Sequence, residues 1–274
     1  MNKFTNKVHE NKQFDSYEDF LTYKKAYQDE KGYWNCDKNL SISERYQHLF
    51  IKNGKLICKF GVIKGKFTFR GTQKIKDRTN EDILTSLKGM PIEVYDNFSV
   101  AHQKGITSPI GMPKKVGNNV EFRNCKLTTL EGLPAECENL ILPGNQFKDL
   151  SGLSSSTRGI IDVSYGKLES LEGIKTRITC GYFHARPNKK LKTIKGIEKI
   201  NSKRGYVLDH ESKIPEWIIY FLHENKKNDN IYLEILQHII DSGKISRINE
   251  LDWPEGFLND NLKKSAKGIS KFNI

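Results

Sequence analysis

Residues 116–134 read VGNNVEFRNCKLTTLEGLP. Val120 and Phe122 alternate with polar neighbours, as a strand with one buried face requires, and the phrase LTTLEGL that follows sets two leucines three apart ahead of a glycine. That phrase, apolar-x-x-apolar-x-Gly-apolar, occurs six times: LTSLKGM from Leu84, ITSPIGM from Ile106, LTTLEGL from Leu127, FKDLSGL from Phe147, LESLEGI from Leu168 and LKTIKGI from Leu191. Its glycines, Gly89, Gly111, Gly132, Gly152, Gly173 and Gly196, stand 22, 21, 20, 21 and 23 residues apart. A period held so closely marks a repeated supersecondary unit.

Nine and eleven residues beyond each glycine an apolar pair is expected to face inward: Phe98 and Val100, Val120 and Phe122, Ile161 and Val163, Tyr182 and His184. The third unit is one residue shorter and uses Leu140 and Leu142; the last has Gly205 and Val207 in a weaker version. Each unit therefore reads as a strand, a turn and a second short segment. Neither half buries its apolar face alone, so about six units stack into a parallel sheet roughly 25–30 Å long. The repeated leucines are core, and the glycines permit a positive φ or a close backbone approach. The fold class that follows is α+β, a parallel-strand solenoid of about six coils.

Over about residues 80–210 these phrases resemble the short, irregular leucine-rich repeats of proteins from large tailed bacteriophages and some bacteria, and the period lies in the range of such repeats. The resemblance implies a binding surface without common catalytic residues: a non-enzymatic protein–protein interaction scaffold, phage-encoded, either a virion component or a binder of a host protein. The chain departs from the usual pattern. An Asn near the strand exit stands at Asn124 and Asn145 and is not expected in later units, which also lack the prolines seen at Pro91, Pro113 and Pro134.

The repeats, 80–211, lie between two expected caps. In residues 1–79, SYEDFLTYKKAYQDE from Ser16 places Phe20, Tyr23 and Tyr27 at helical spacing behind a Ser cap, and 48–70 alternates around Asn-Gly and Lys-Gly turns, predicting two or three strands in a meander or hairpin. In residues 212–274, Pro215, Trp217, Phe221 and Leu222, then Ile231, Ile235, Leu236, Ile239 and Ile240 with Gly243 as a stop, predict helices. Such caps cover core side chains and strand edges that an open end exposes.

Forty-five Lys+Arg against 33 Asp+Glu give a net charge of +12, which favours anionic partners. The excess is local. Residues 52–78 hold nine basic residues against Asp77, and residues 186–204 hold eight against Glu198. The alternative reading is nucleic-acid binding through these stretches, by Lys64, Lys66 and Arg70 in the first and Arg186, Lys189, Lys190 and Lys192 in the second. Phe60, Phe67, Phe69, Tyr182 and Phe183 are the rings that would stack on bases if exposed. Five scattered cysteines form no close pair, and no apolar run reaches 18 residues, so the chain is expected to be cytoplasmic, reduced and free of membrane spans.

No phosphate loop, GxGxxG turn, HExxH or GxSxG motif is present, so no catalytic residue, cofactor or metal is expected. Asp209, His210 and Glu211 are adjacent, and neighbouring strand residues point to opposite faces, so they read as a junction turn. His184 falls on an expected inward position. The expected contact surface is the set of outward strand positions Ser99, Glu121, Asp162 and Phe183, with Glu121 and Asp162 exposed.

Overall fold

The computed structural model describes residues 12–71 and 83–208. The C-terminal helices expected from Pro215 to Gly243, the Asp209–Glu211 cluster and the basic residues of 72–78 lie outside them.

Ser16 caps helix α1 (Tyr17–Tyr23) as expected, its Oγ accepting the Asp19 N–H at 3.1 Å. The helix is shorter than its pattern suggests. Lys25 takes φ 60° and the chain turns into β1 (Tyr27–Gln28), so Phe20 and Leu21 are buried while Tyr23 and Tyr27 are exposed. After β2 (Trp34–Cys36) and β3 (Leu40–Ile42), a 3-10 helix over Glu44–Leu49 leads to the hairpin β4 (Ile51–Lys52) and β5 (Lys55–Leu56). Its turn, Asn53-Gly54, has positive φ at both residues, the geometry that Asn-Gly favours.

The remaining strands are β6 (Phe60–Ile63), β7 (Phe67–Arg70), β8 (Glu93–Val94), β9 (Phe98–Ala101), β10 (Lys115–Val116), β11 (Val120–Arg123), β12 (Glu136–Cys137), β13 (Leu140–Ile141), β14 (Ser156–Thr157), β15 (Ile160–Asp162), β16 (Ile178–His184) and β17 (Ile200–Val207). The fold is mostly parallel sheet with few helices. Eight strands, β3-β7-β9-β11-β13-β15-β16-β17, lie side by side in chain order, every pair parallel. A second sheet, β1-β2-β6-β8-β10, is parallel except for β1 against β2, and β12 and β14 form a further parallel pair.

The expected meander over 48–70 is thus correct only for the hairpin β4–β5. β6 and β7, separated by Lys64-Gly65-Lys66, do not pair; β6 joins the second sheet and β7 the main one. The parallel ladder accordingly begins at Leu40.

The phrases from Leu84, Ile106, Leu127 and Phe147 each lead to a short strand of the other side, β8, β10, β12 and β14, whereas those from Leu168 and Leu191 lead directly to the main-sheet strands β16 and β17, the second by way of a 3-10 turn over Ile197–Lys199. Such a connection satisfies the length that a parallel crossover needs without a helix. All six phrase glycines have φ between 85° and 98°. At Gly152 a Cβ would meet the backbone N of Glu131 at 2.5 Å, so both dihedral and space call for glycine there.

Main-sheet pairs Phe98/Val100, Val120/Phe122, Leu140/Leu142 and Ile161/Val163 are fully buried, as are phrase residues such as Leu84, Leu127, Leu130, Leu150, Leu168 and Leu191. Each contributes about 1.5–3 kcal/mol by leaving water. Phenylalanines 50, 60, 67, 98 and 122 form a chain of rings with successive centroids 5.2–6.2 Å apart along the N-terminal part of the core.

The last two units correct the expected register. Phe183, not Tyr182, pairs with Ile161 and is buried; Ala185 follows it inward, while Tyr182 is 40% exposed and the His184 side chain 37%. Likewise Tyr206 and Leu208 are the inward pair of the last unit: Val207 is only partly buried, and Gly205, although buried, stands opposite the exposed Tyr182. In β16 the extra residue is taken up at Gly181 and Tyr182, whose N–H groups both donate to the Gly159 carbonyl, and in β17 between Ser202 and Gly205, where two residues stand opposite Gly181.

Candidate interaction surface

The outward face of the main sheet is built by two ladders of side chains that bond backbone across units. At the strand starts, Asn39 Oδ1 accepts the Lys66 N–H at 2.8 Å, Asn97 Oδ1 that of Asn119 at 3.1 Å, and Asn139 Oδ1 that of Ile160 at 2.7 Å. Asn139 Nδ2 also donates to Asn119 Oδ1 at 2.8 Å.

Past the strand ends a buried ladder does the same work inside. Asn145 Oδ1 accepts the Leu127 N–H at 3.1 Å, and its Nδ2 donates to the Phe122 and Leu142 carbonyls at 2.8 and 2.9 Å. Asn188 repeats this with the Leu168 N–H and the Val163 and Ala185 carbonyls. In the intervening position of an earlier unit the Cys125 thiol donates to the Val100 and Arg123 carbonyls. The expectation that Asn would be lost from later units holds in one, where Gly166 stands three residues past Val163, and is corrected in the next, where Asn188 keeps it; in the unit before Asn145 the equivalent is Cys125. Asn124, one residue earlier, instead occupies a turn at φ 50°.

Between the ladders, register sets Ser41, Thr68, Ser99, Glu121, Ile141, Asp162 and His184 in one row across seven strands. Three of the four expected contact residues, Ser99, Glu121 and Asp162, therefore share a row. Phe183 does not join them, because the extra residue in its unit turns it inward. Glu121 and Asp162 are also less open than expected, with side chains 25% and 18% exposed. Glu121 pairs with Arg123, while Asp162 Oδ1 lies 3.6 Å from His184 Nδ1 and accepts the Ser164 N–H at 2.9 Å.

The cations expected for nucleic acid fall in several places. Lys64 lies in the turn after β6 and pairs with Asp37 at 2.9 Å, a hydrogen bond that raises its pKa above the ordinary lysine value. Lys66 just precedes β7 and Arg70 is its last residue, and both are exposed. Arg186, Lys189 and Lys190 are exposed beyond β16, and Lys192, on the leucine-phrase side, donates to Glu169 at 3.2 Å, lowering the pKa of that carboxyl. Five strand steps of about 4.8 Å separate β7 from β16. The rings expected to stack on bases are mostly unavailable: Phe60, Phe67, Phe69 and Phe183 are buried, and only Tyr182 is exposed, with the Arg204 guanidinium 5.9 Å from its centroid.

Among the described residues no group of three or more His, Cys, Asp and Glu is placed to hold a metal. Cys36, Cys58, Cys125, Cys137 and Cys180 are free and buried, and burial pushes the thiols of Cys58, Cys125 and Cys137 up to about 12. His102, at the turn beyond β9, has its pKa lowered by burial and then by Arg70 nearby. No described helix is long and apolar enough to cross a membrane.

Sequence reasoning missed Arg123 and the buried ladder. Arg123 lies outside both dense basic stretches and acquires its neighbours only through register. Comparison with protein-family models, curated proteins and solved structures finds no match to this chain.

Proposed function

We propose that the chain is a leucine-rich-repeat-like solenoid, closed by terminal caps, that presents its main-sheet face to a protein partner and performs no catalysis. The observation that carries this reading is the row from Ser41 to His184, an outward face running across seven of the eight parallel strands and flanked on both sides by hydrogen-bonded ladders. A face so held loses little conformational freedom on binding. The buried Cys125-Asn145-Asn188 position also matches the N/C position of the leucine-rich-repeat phrase L-x-L-x-x-N/C-x-L, as VEFRNCKL and LILPGNQF show.

Seven strand spacings of about 4.8 Å by roughly 12 Å of strand give a flat area near 400 Å². That is about half of the ~800 Å² per partner in a standard interface. A partner of ordinary affinity therefore also reaches over a rim of the sheet. The setting we adopt from the resemblance is a phage-encoded protein acting in the host cytoplasm or the virion.

The test is recovery of partners on the tagged full chain from its native cells, with and without nuclease and at two salt concentrations. One protein retained in stoichiometric amount through nuclease and salt is expected. Recovery of nucleic acid alone, lost at higher salt, refutes the reading.

A further inference from the structure

Arg70 and Arg186 come from separate basic stretches, yet the sheet sets them on one line. Arg70 is paired with Ala101 and Ala101 with Arg123. Continuing the register of Ile141, Asp162 and His184 by two residues carries the line through Pro143 and Ser164 to Arg186. The three arginines are exposed, whereas Ala101, Pro143 and Ser164 between them are buried. At about 4.8 Å per strand, the arginines stand roughly 10 Å and 14 Å apart.

Among the described residues neither Arg70 nor Arg186 has an ion pair. Arg123 engages Glu121 through Nε, and a guanidinium has four further N–H donors on its terminal nitrogens. Three cations over a low floor form a linear anion-recognising edge beside a row whose carboxylates, Glu121 and Asp162, are half-buried and already paired.

We infer that this line receives an acidic, extended segment of a protein partner, an inference that rests on the interaction reading above. An extended chain rises about 3.3 Å per residue, so seven residues span the roughly 24 Å from Arg70 to Arg186. Carboxylates of the segment pair bidentately with the guanidinium groups, and the Thr68 and Ser99 hydroxyls of the adjoining row can bond its backbone. Bases are poorly served on the same line. Rings of these strands, such as Phe69, Phe98 and Phe122, face the core, and Tyr165 just past Ser164 supplies one exposed ring where stacking asks for one per base.

The test uses the full chain and two labelled probes, an oligoglutamate of about eight residues and an oligothymidylate of similar length, titrated by fluorescence anisotropy at low and high salt. The variant Arg70→Gln/Arg123→Gln/Arg186→Gln is compared with Lys88→Gln/Lys126→Gln/Lys175→Gln, which removes the same charge from exposed positions off this face. Circular dichroism and urea midpoints check that both fold. Wild type and the lysine variant are expected to bind oligoglutamate alike, with the arginine variant about tenfold or more weaker, and with all binding falling as salt rises. Equal loss in both variants, no loss in the arginine variant, or tighter binding of oligothymidylate through the same arginines overturns the inference. A stoichiometric partner that stays bound to the arginine variant in cells also overturns it while leaving the interaction reading intact; absence of any such partner on wild type fails the reading itself.

Discussion

Replacing Asn145 with Ala removes three hydrogen bonds from a side chain only 2% exposed. The Leu127 N–H then lies buried without its acceptor, a cost of about 1–3 kcal/mol, and the Phe122 and Leu142 carbonyls each lose a donor. The sum is about 2–4 kcal/mol, a large share of the ~5–15 kcal/mol that holds a folded domain. In urea at 25 °C, with a slope of about 2–3 kcal/mol/M, the midpoint should fall by about 1 M. Asn145→Cys keeps one donor toward the carbonyls, as Cys125 does, and is expected to fall between Ala and wild type. Asn118→Ala, at an exposed residue bonded to Asp96, should cost under about 0.5 kcal/mol. Amide exchange adds a local readout, with Leu127 the residue whose protection drops most. A loss for Asn145→Ala no greater than for Asn118→Ala would refute the claim that the internal ladder, rather than the leucines alone, joins one unit to the next.

The shifted register predicts that Phe183→Ala costs about 3–5 kcal/mol by urea titration while Tyr182→Ala costs under about 1; the opposite order would restore the nine-and-eleven spacing. Gly152→Ala combines φ 85° with a Cβ 2.5 Å from the Glu131 N, whereas at Gly205, φ 130°, no atom lies within 4 Å. The first should therefore destabilise by about 2 kcal/mol or more and the second by about 1, read as a difference in thermal midpoint; equal effects would discard the close-packing argument. The thiols of Cys58, Cys125 and Cys137, raised by burial to about 12, hold their protons in the folded chain after the unfolded chain has begun to release them near pH 9. Unfolding then releases protons, so stability is unaffected below about pH 8 and falls by about 1.4 kcal/mol per pH unit per thiol above pH 9. A urea midpoint constant from pH 8 to 10.5 contradicts this.

Much of the architecture was written in local residue pattern. The phrase glycines mark turns that need positive φ, and alternation in VEF, LIL and IDV marks strands with one buried face, so both survive reading without neighbours. What failed required knowledge of pairing. Phe60–Ile63 and Phe67–Arg70 flank Lys64-Gly65-Lys66 as a hairpin would, and only the partners Trp34 and Leu40 reveal that each strand belongs to a different sheet. The one-residue excess before Phe183 was visible in the 23-residue step to Gly196, but not which corner absorbed it. The buried ladder was obscured because Cys125 replaces Asn at one rung, and an Asn124 beside it offered a false match. On the surface, density of charge pointed to two basic stretches, while alignment across strands singles out Arg70, Arg123 and Arg186, which no window along the chain brings together.

Because every main-sheet strand is paired within that sheet only with the main-sheet strands next before and after it in the chain, the ladder has a mechanical consequence. Tension applied between its two ends loads one rung at a time, and the end strand peels before its inner neighbours bear the force. A released unit of 21 residues, at about 3.4 Å per extended residue, would lengthen the tether by about 65–70 Å after subtracting its former rise. The protein should thus pay out in steps of nearly equal size, a molecular tether whose length is set by the number of units released.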